Sequence, residues 1–362
     1  MAALDALATP AILVDRAKLG TNIRAMQSAC DAAGIELRPH MKTHKMVEVA
    51  RQQLAAGAKG LTCAKVGEAE AMLPSGVKEI FVANSLVARG LAPRLAALAE
   101  RLSVLRVGLT SEAHFEPLAD LASATGRRLG VMLAVDTGLG REGVRSDEAA
   151  IRIATRLARH PHLELKGLYC HEGHFYGLPP DQMPAALETM IERMHQVRRA
   201  IDPALAIWPG CSVTARLATQ ISCGRVQALR PGAYMFGDLS LSRTTKVMAP
   251  ADIAVHVLAT VVDKPEPGLA LIDAGSKTFS SDRTPESHFG AADDGRDLTV
   301  VRVNEEHGYV RGSDVDALCV GDRIGFVPAH ICTVINLTDE VIVTEGPAVT
   351  GRWSVEARGR NQ

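Results

Sequence analysis

Leu37-Arg38-Pro39-His40-Met41-Lys42-Thr43-His44-Lys45 sits where a short apolar run, beginning near Ile35, gives way to a helical pattern. The same change of period recurs down the chain. Strand-like runs rich in β-branched residues fall at Ile35–Lys42, Gly60–Ala64, Glu79–Asn84, Ser103–Leu109, Leu129–Asp136, Leu165–His171, Leu205–Gly210 and Val226–Arg230. Amphipathic stretches separate them, among them Lys45–Ala56, Glu68–Leu73, Glu112–Ala124, Asp147–Ala158, Ala185–Ala200 and Val213–Ile221. Strict alternation forces parallel pairing with right-handed crossovers. Eight such units close into a barrel more naturally than they extend as an open sheet. The expected class is α/β, with a (β/α)8 TIM-type barrel over residues 31–247.

After Pro250 the texture changes. Ile253–Val262, Ala270–Asp273, Leu298–Val303, Tyr309–Val310, Asp322–Phe326 and Glu340–Thr344 are short strand-like runs parted by Gly, Pro, Asp and Asn. They predict an all-β C-terminal domain over residues 248–362. An N-terminal segment, residues 1–30, carries a strand at Thr9–Asp15 expected to pair with that β domain, followed by a helix from Leu19.

The 362 residues allow a barrel with an appendage. Lys+Arg is 40 and Asp+Glu is 41, so no net field favours nucleic acid or an anionic membrane. The start, MAALDALATPAILVD, lacks the cationic and long apolar regions of a signal peptide, and no run approaches a membrane span. Cys30, Cys63, Cys170, Cys211, Cys223, Cys319 and Cys332 are scattered, without a CxxC pair. That pattern suits reduced thiols in a cytoplasmic protein.

In a βα barrel, chemistry is built at the C-terminal mouth, where Lys42 is expected to lie. It is a candidate for the imine-forming amine of a pyridoxal-phosphate enzyme; the plainer alternative makes Lys42 and Lys45 helix-start cations. Two glycine turns, Pro209–Thr214 and Arg230–Tyr234, close the last two strand ends. Their amides suit a phosphate, which barrel enzymes commonly hold after strands seven and eight, although Gly210 and Gly232 equally permit tight turns. In Asp136–Gly143, Arg141 offers a fixed fork of donors to an oxyanion, or a structural ion pair. In Tyr169–Tyr176, histidines and tyrosines can bond an aromatic cofactor and shuttle protons. Metal ligation by His171 and His174 ranks lower, because no third ligand is obvious nearby. In Val327–Val334, an extended strand would project His330 and Cys332 to one face. Imidazole plus thiolate is a zinc-preferring pair, while a buried strand His and Cys is the plainer alternative.

Together these segments resemble the fold type III pyridoxal-phosphate enzymes, and within them the D-serine dehydratase / D-threonine aldolase (alanine racemase-like) group. The matching stretches are RPHMKTHK (Arg38–Lys45), VANSLV (Val82–Val87), DTGLGREGV (Asp136–Val144), GLYCHEGHFYG (Gly167–Gly177), GCSVTAR (Gly210–Arg216), LRPGAYMFGD (Leu229–Asp238), DAGSKTFSSD (Asp273–Asp282), EEHG (Glu305–Gly308) and PAHICTVINL (Pro328–Leu337). They span almost the whole chain. The resemblance implies a homodimer with shared active sites and Lys42 as the Schiff-base lysine. It implies cofactor contacts at Arg141, Tyr169, Tyr176, Gly210, Ser212, Thr214, Gly232 and Tyr234, and a divalent metal, zinc above others, on His330 and Cys332. Aldolases of the group tend to show His-x-Asp at the metal position and dehydratases His-x-Cys, so Cys332 tilts the expectation towards a dehydratase. Such an enzyme converts a D-3-hydroxy amino acid, for instance D-serine, D-threonine or D-threo-3-hydroxyaspartate, to a 2-oxo acid and ammonia. The alternative is a metal-dependent D-threonine aldolase giving glycine and an aldehyde, with His171 or His174 assisting as base. A racemase needs a second base, and Tyr309 is the only tyrosine after Tyr234. A non-catalytic cofactor carrier resembles the barrel half alone and needs no β domain.

Overall fold

A computed structural model describes residues 6–87, 90–222 and 224–362; Cys223 lies outside the described residues. The chain divides into two compact units. One comprises residues 25–42, 47–232 and 360–362, the other residues 1–24, 43–46 and 233–359. The division passes between Lys42 and Thr43.

The second unit begins with strand β1 (Ala11–Asp15), after which the chain enters the barrel. The barrel strands are β2 (Glu36–Leu37), β3 (Leu61–Cys63), β4 (Glu79–Ser85), β5 (Val104–Leu109), β6 (Leu129–Ala134), β7 (Leu163–Tyr169), β8 (Ala206–Trp208) and β9 (Ala228–Leu229). β3 to β8 form a parallel sheet in chain order, and β2 pairs parallel with β9. Backbone bonds close both seams. Thr62 N–H donates to Pro39 at 2.8 Å beside β2, and Gln227 N–H donates to Ile207 at 3.0 Å between β8 and β9. The result is a TIM-type barrel. β2 and β9 are shorter than the expected Ile35–Lys42 and Val226–Arg230. Past their ends the pairing continues as single bonds, Arg38 N–H to the Leu229 carbonyl and His40 N–H to the Pro231 carbonyl, each at 2.9 Å.

Inside the barrel, Phe81, Met132, Tyr169 and Trp208 pack together. Phe81 meets Tyr169 and Trp208 edge-on, with centroids 5.0 and 5.7 Å apart. Arg38 and Arg106 share the Glu79 carboxylate at 2.8 and 3.2 Å and lie over the Trp208 ring. A helix that the patterning above does not name, Leu91–Arg101, buries Leu91, Leu95, Leu98 and Ala99, one helical face.

The other unit is built on one nine-stranded sheet. Its further strands are β10 (Val255–Glu266), β11 (Leu269–Ile272), β12 (Gly290–Ala292), β13 (Thr299–Val303), β14 (Gly308–Arg311), β15 (Arg323–Pro328), β16 (Glu340–Glu345) and β17 (Ala348–Ser354). β1 lies between β10, antiparallel, and β16, parallel. β12 escaped the patterning because its three residues are Gly-Ala-Ala; a Cβ on Gly290 would stand 2.9 Å from the Phe279 ring. One expectation is corrected here. The segment after Pro328, read above as extended strand, forms a helix over Ile331–Leu337. Its β-branched run looks locally like strand. The buried residues Ile331, Val334 and Ile335 nevertheless fall at i, i+3 and i+4, so packing selects the helix. Among the described residues, no helix is long and apolar enough to cross a membrane.

Candidate active site

Lys42 stands on the turn that follows β2, at the strand-end mouth of the barrel. A cavity of about 280 Å³ opens there, lined by His40, Lys42, Arg141, Tyr169, His171 and Arg230 among others. A larger hollow of about 420 Å³ lies between the outer helices, around Ile151, Ala154 and Leu205. Its polar groups, among them Glu164 and Asp202, include no lysine, histidine or tyrosine, whereas the smaller cavity gathers all three at the strand ends and is the candidate site.

Within it, His171 Nδ1 lies 2.6 Å from the Gly210 carbonyl oxygen. A carbonyl only accepts, so Nδ1 carries the proton and Nε2 is left as an acceptor. Burial first, then the charge of Lys42, lowers the imidazole to about 3. His171 is therefore neutral at physiological pH. The Tyr169 hydroxyl is buried and finds no hydrogen-bond partner among the described residues, and burial pushes its phenol well above the usual range. A Cβ on Gly108 would stand 2.7 Å from that oxygen. Arg230, buried, donates to the Trp208 and Cys170 carbonyls and lies over the Tyr169 ring. A cationic cavity with an orphaned phenol and a lysine at its mouth fits an anionic aromatic aldehyde such as pyridoxal phosphate.

The glycine turns meet beside it. Gly232 N–H donates to Ser212 Oγ at 3.1 Å, and Ser212 opens the ten-residue helix Ser212–Ile221. A side chain at Gly210 would collide with Arg230 at 2.8 Å. Glu172, which the sequence reading passed over, organises this corner: its carboxylate accepts from Thr214 Oγ1 at 2.7 Å and from Gly210 N–H at 3.2 Å. The Thr214 hydroxyl is thus committed to Glu172. Arg141 reaches the cavity from an exposed position, paired with Glu142 at 3.2 Å. His174 packs instead against Gly138 and the Phe175 ring, and Tyr176 shares its short 3-10 turn, Gly173–Gly177. Tyr234 is buried in the other unit.

That other unit brings His330 and Cys332 together, through a helix start rather than through strand alternation. His330 caps the helix, and Cys332 lies in its first turn. Cys332 beside the ring, assisted by Asp238, pushes the imidazole up to about 11. Asp238 is fully buried and was also passed over. Its Oδ2 accepts from His330 Nδ1 at 3.0 Å and from Ile331 N–H at 3.2 Å, while Oδ1 accepts from Leu241 N–H at 2.9 Å. Thr43 Oγ1 lies 3.1 Å from Cys332 Sγ. Among the described residues, no three His, Cys, Asp or Glu side chains are grouped to hold an ion. The imidazole–thiol pair still supplies the donors a borderline-soft divalent ion prefers. Glu172 and Asp238 each had a signal, a carboxylate inside a motif already rich in candidate groups.

Known proteins agree with this architecture. The model for the alanine racemase N-terminal domain matches residues 14–240, and that for a putative serine dehydratase domain matches residues 254–344. The chain is 30% identical to the D-threonine aldolase of Arthrobacter sp, over 97% of its own length and 93% of the relative's. It is 32% identical to the D-threo-3-hydroxyaspartate dehydratase of Delftia sp. (strain HT23), over 90% and 91%. A D-threo-3-hydroxyaspartate dehydratase variant, cysteine to alanine, solved in its metal-free form, superposes with a TM-score of 0.88 at 28% identity, covering 98% of this chain and 99% of that one. With the fold, the lysine-bearing mouth and the appended β unit all in place, the chain belongs to the D-serine dehydratase / D-threonine aldolase family of fold type III pyridoxal-phosphate enzymes, and it is a lyase.

Proposed function

We propose that this lyase is a pyridoxal-phosphate- and zinc-dependent dehydratase of a D-3-hydroxy amino acid such as D-serine, D-threonine or D-threo-3-hydroxyaspartate, yielding a 2-oxo acid and ammonia. The observation that carries the reading is the meeting of His330 with a thiol, Cys332, where aldolases of the resemblance carry a carboxylate. Lys42 is the covalent anchor, and its Nζ accepts the proton from the substrate Cα. Arg141 and Arg230 hold anionic groups at the cavity. Ser212 with the Gly210 and Gly232 turns receives the phosphate at a helix start. Tyr169 donates its phenolic proton, while Tyr176 and Tyr234 complete the contacts. Thr214 acts through Glu172. Bound pyridoxal phosphate supplies the electron sink for the negative charge at Cα. Zinc on His330 and Cys332 supplies a Lewis acid for the departing hydroxyl, a poor leaving group by itself. The enzyme would work as a cytoplasmic homodimer.

A second reading rests on His171. Its neutral ring presents Nε2 as an acceptor, which suits removal of a β-hydroxyl proton and hence aldol cleavage to glycine and an aldehyde. D-Threonine separates the two. Dehydration gives 2-oxobutyrate and ammonia, whereas acetaldehyde with glycine and no ammonia would sink the dehydratase reading.

A further inference from the structure

Two protein ligands hold an ion loosely unless something fixes the ligands themselves. The surroundings of His330 and Cys332 hold a second tier of polar groups that the chemistry above does not use. Asp238 is wholly buried, and both its oxygens accept backbone N–H bonds, from Leu241 and Ile331. Those bonds fix the carboxylate to the backbone of two separate segments. From that fixed position its Oδ2 accepts a hydrogen bond from His330 Nδ1–H at 3.0 Å, leaving Nε2 as the nitrogen able to ligate. Its contact is with the ring nitrogen that faces it, and among the described residues no third His, Cys, Asp or Glu is grouped with the pair to hold an ion, so Asp238 acts as an orienting group.

The sulfur has its own partner. Thr43 is buried, and its hydroxyl lies 3.1 Å from Cys332 Sγ. A thiolate has no proton to give, so Thr43 is then the donor. The backbone around Thr43 is pinned as well: Lys45 Nζ donates to the Ala357 carbonyl at 3.3 Å, and Ala357 N–H donates to the Lys45 carbonyl at 3.0 Å. The hydroxyl is thus delivered from a fixed turn.

We propose that Asp238 and Thr43 are the positioning residues of the metal pair, Asp238 setting the His330 ring and Thr43 setting the Cys332 sulfur. The inference rests on the reading that His330 and Cys332 bind a divalent ion.

The test is titration of the metal-stripped, cofactor-loaded enzyme with Zn2+ and with Co2+, the cobalt read by its thiolate charge-transfer band. Asp238→Asn is expected to weaken both ions about 10–100-fold while far-UV circular dichroism stays that of the wild type. Thr43→Val is expected to shift the cobalt band at saturation, and Thr43→Ser to restore it, a signature that a merely structural role would not move. A folded Asp238→Asn with wild-type affinity overturns the role of Asp238, and an unshifted band in Thr43→Val overturns that of Thr43. If Asp238→Asn fails to fold, the threonine pair alone decides. A wild-type enzyme that binds neither ion overturns the metal reading and this inference together.

Discussion

The barrel mouth and the His330 corner solve one problem, the placement of reactive groups, by opposite means. At the mouth, Lys42 follows the end of β2, while Tyr169 ends β7 and His171 follows it, so two parallel strands of the barrel deliver all three. The repeat itself puts them there, and hydrogen bonds only refine their aim. At the corner, four side chains come from three remote segments, with His330 and Asp238 92 residues apart and Thr43 and Cys332 289 apart. No repeat brings them together. Long-range hydrogen bonds to a buried carboxylate do. Topology can therefore place chemistry where a loop leaves a strand, but a site made by convergence has to be assembled contact by contact.

The sharpest way to break the comparison is to remove the group that topology places. Lys42→Ala should lower kcat by at least about 10²–10⁴-fold and abolish the cofactor's lysine-dependent absorbance, with the fold retained by circular dichroism. A variant that keeps both would end the reading of the mouth. Cys332→Ala tests the corner and should do something different in kind. It should retain the cofactor absorbance while dehydration falls at least about 10²-fold, since a Lewis acid contributes several kcal/mol. Unchanged turnover in that variant, before and after chelation, would take the metal out of the mechanism.

The same contrast explains what could be read from the chain beforehand. The eight strand positions were legible because apolar runs alternate with helical periods, and the mouth residues followed from counting strand ends. Strand length was less so: β2 and β9 are two residues each, because an apolar run marks where a strand lies but not how far its regular pairing extends. At the corner, the His330–Cys332 pair was legible as a donor set but its geometry was not. Ile331-Cys332-Thr333-Val334-Ile335 has the composition of strand, and only buried packing at Ile331, Val334 and Ile335 makes it helix. Asp238 and Glu172 sit inside motifs that were noticed, yet nothing local encodes partners so far along the chain. Thr214→Val probes such a contact within the barrel. It strips a donor from buried Glu172, so unfolding free energy should fall by about 1–3 kcal/mol in urea denaturation. A loss well under that range would mean that Gly210 N–H and the Cys170 thiol satisfy the carboxylate without it.

The smallest effect concerns pH, and it separates the two histidine environments. His171 has its folded value lowered from 6.5 to about 3, by burial and then by Lys42. The unfolded chain therefore binds a proton that the folded one refuses. Stability from this group is complete above about 6.5 and is lost as pH falls towards 3. A full unit of such linkage is about 1.4 kcal/mol, and because the unfolded ring is only half protonated at 6.5 the loss between pH 6.5 and 5.5 is at most about 1 kcal/mol. Denaturation curves of wild type and His171→Asn, collected at pH 7.5, 6.5 and 5.5, should converge by that amount on acidification. The same neutral ring predicts no ionisation of His171 in the kcat/KM profile between pH 5 and 8. Parallel stability curves, or an imidazole limb near 6.5 that disappears in the variant, would show that the mouth holds this histidine in water after all, and the contrast with the proton-holding His330 would collapse.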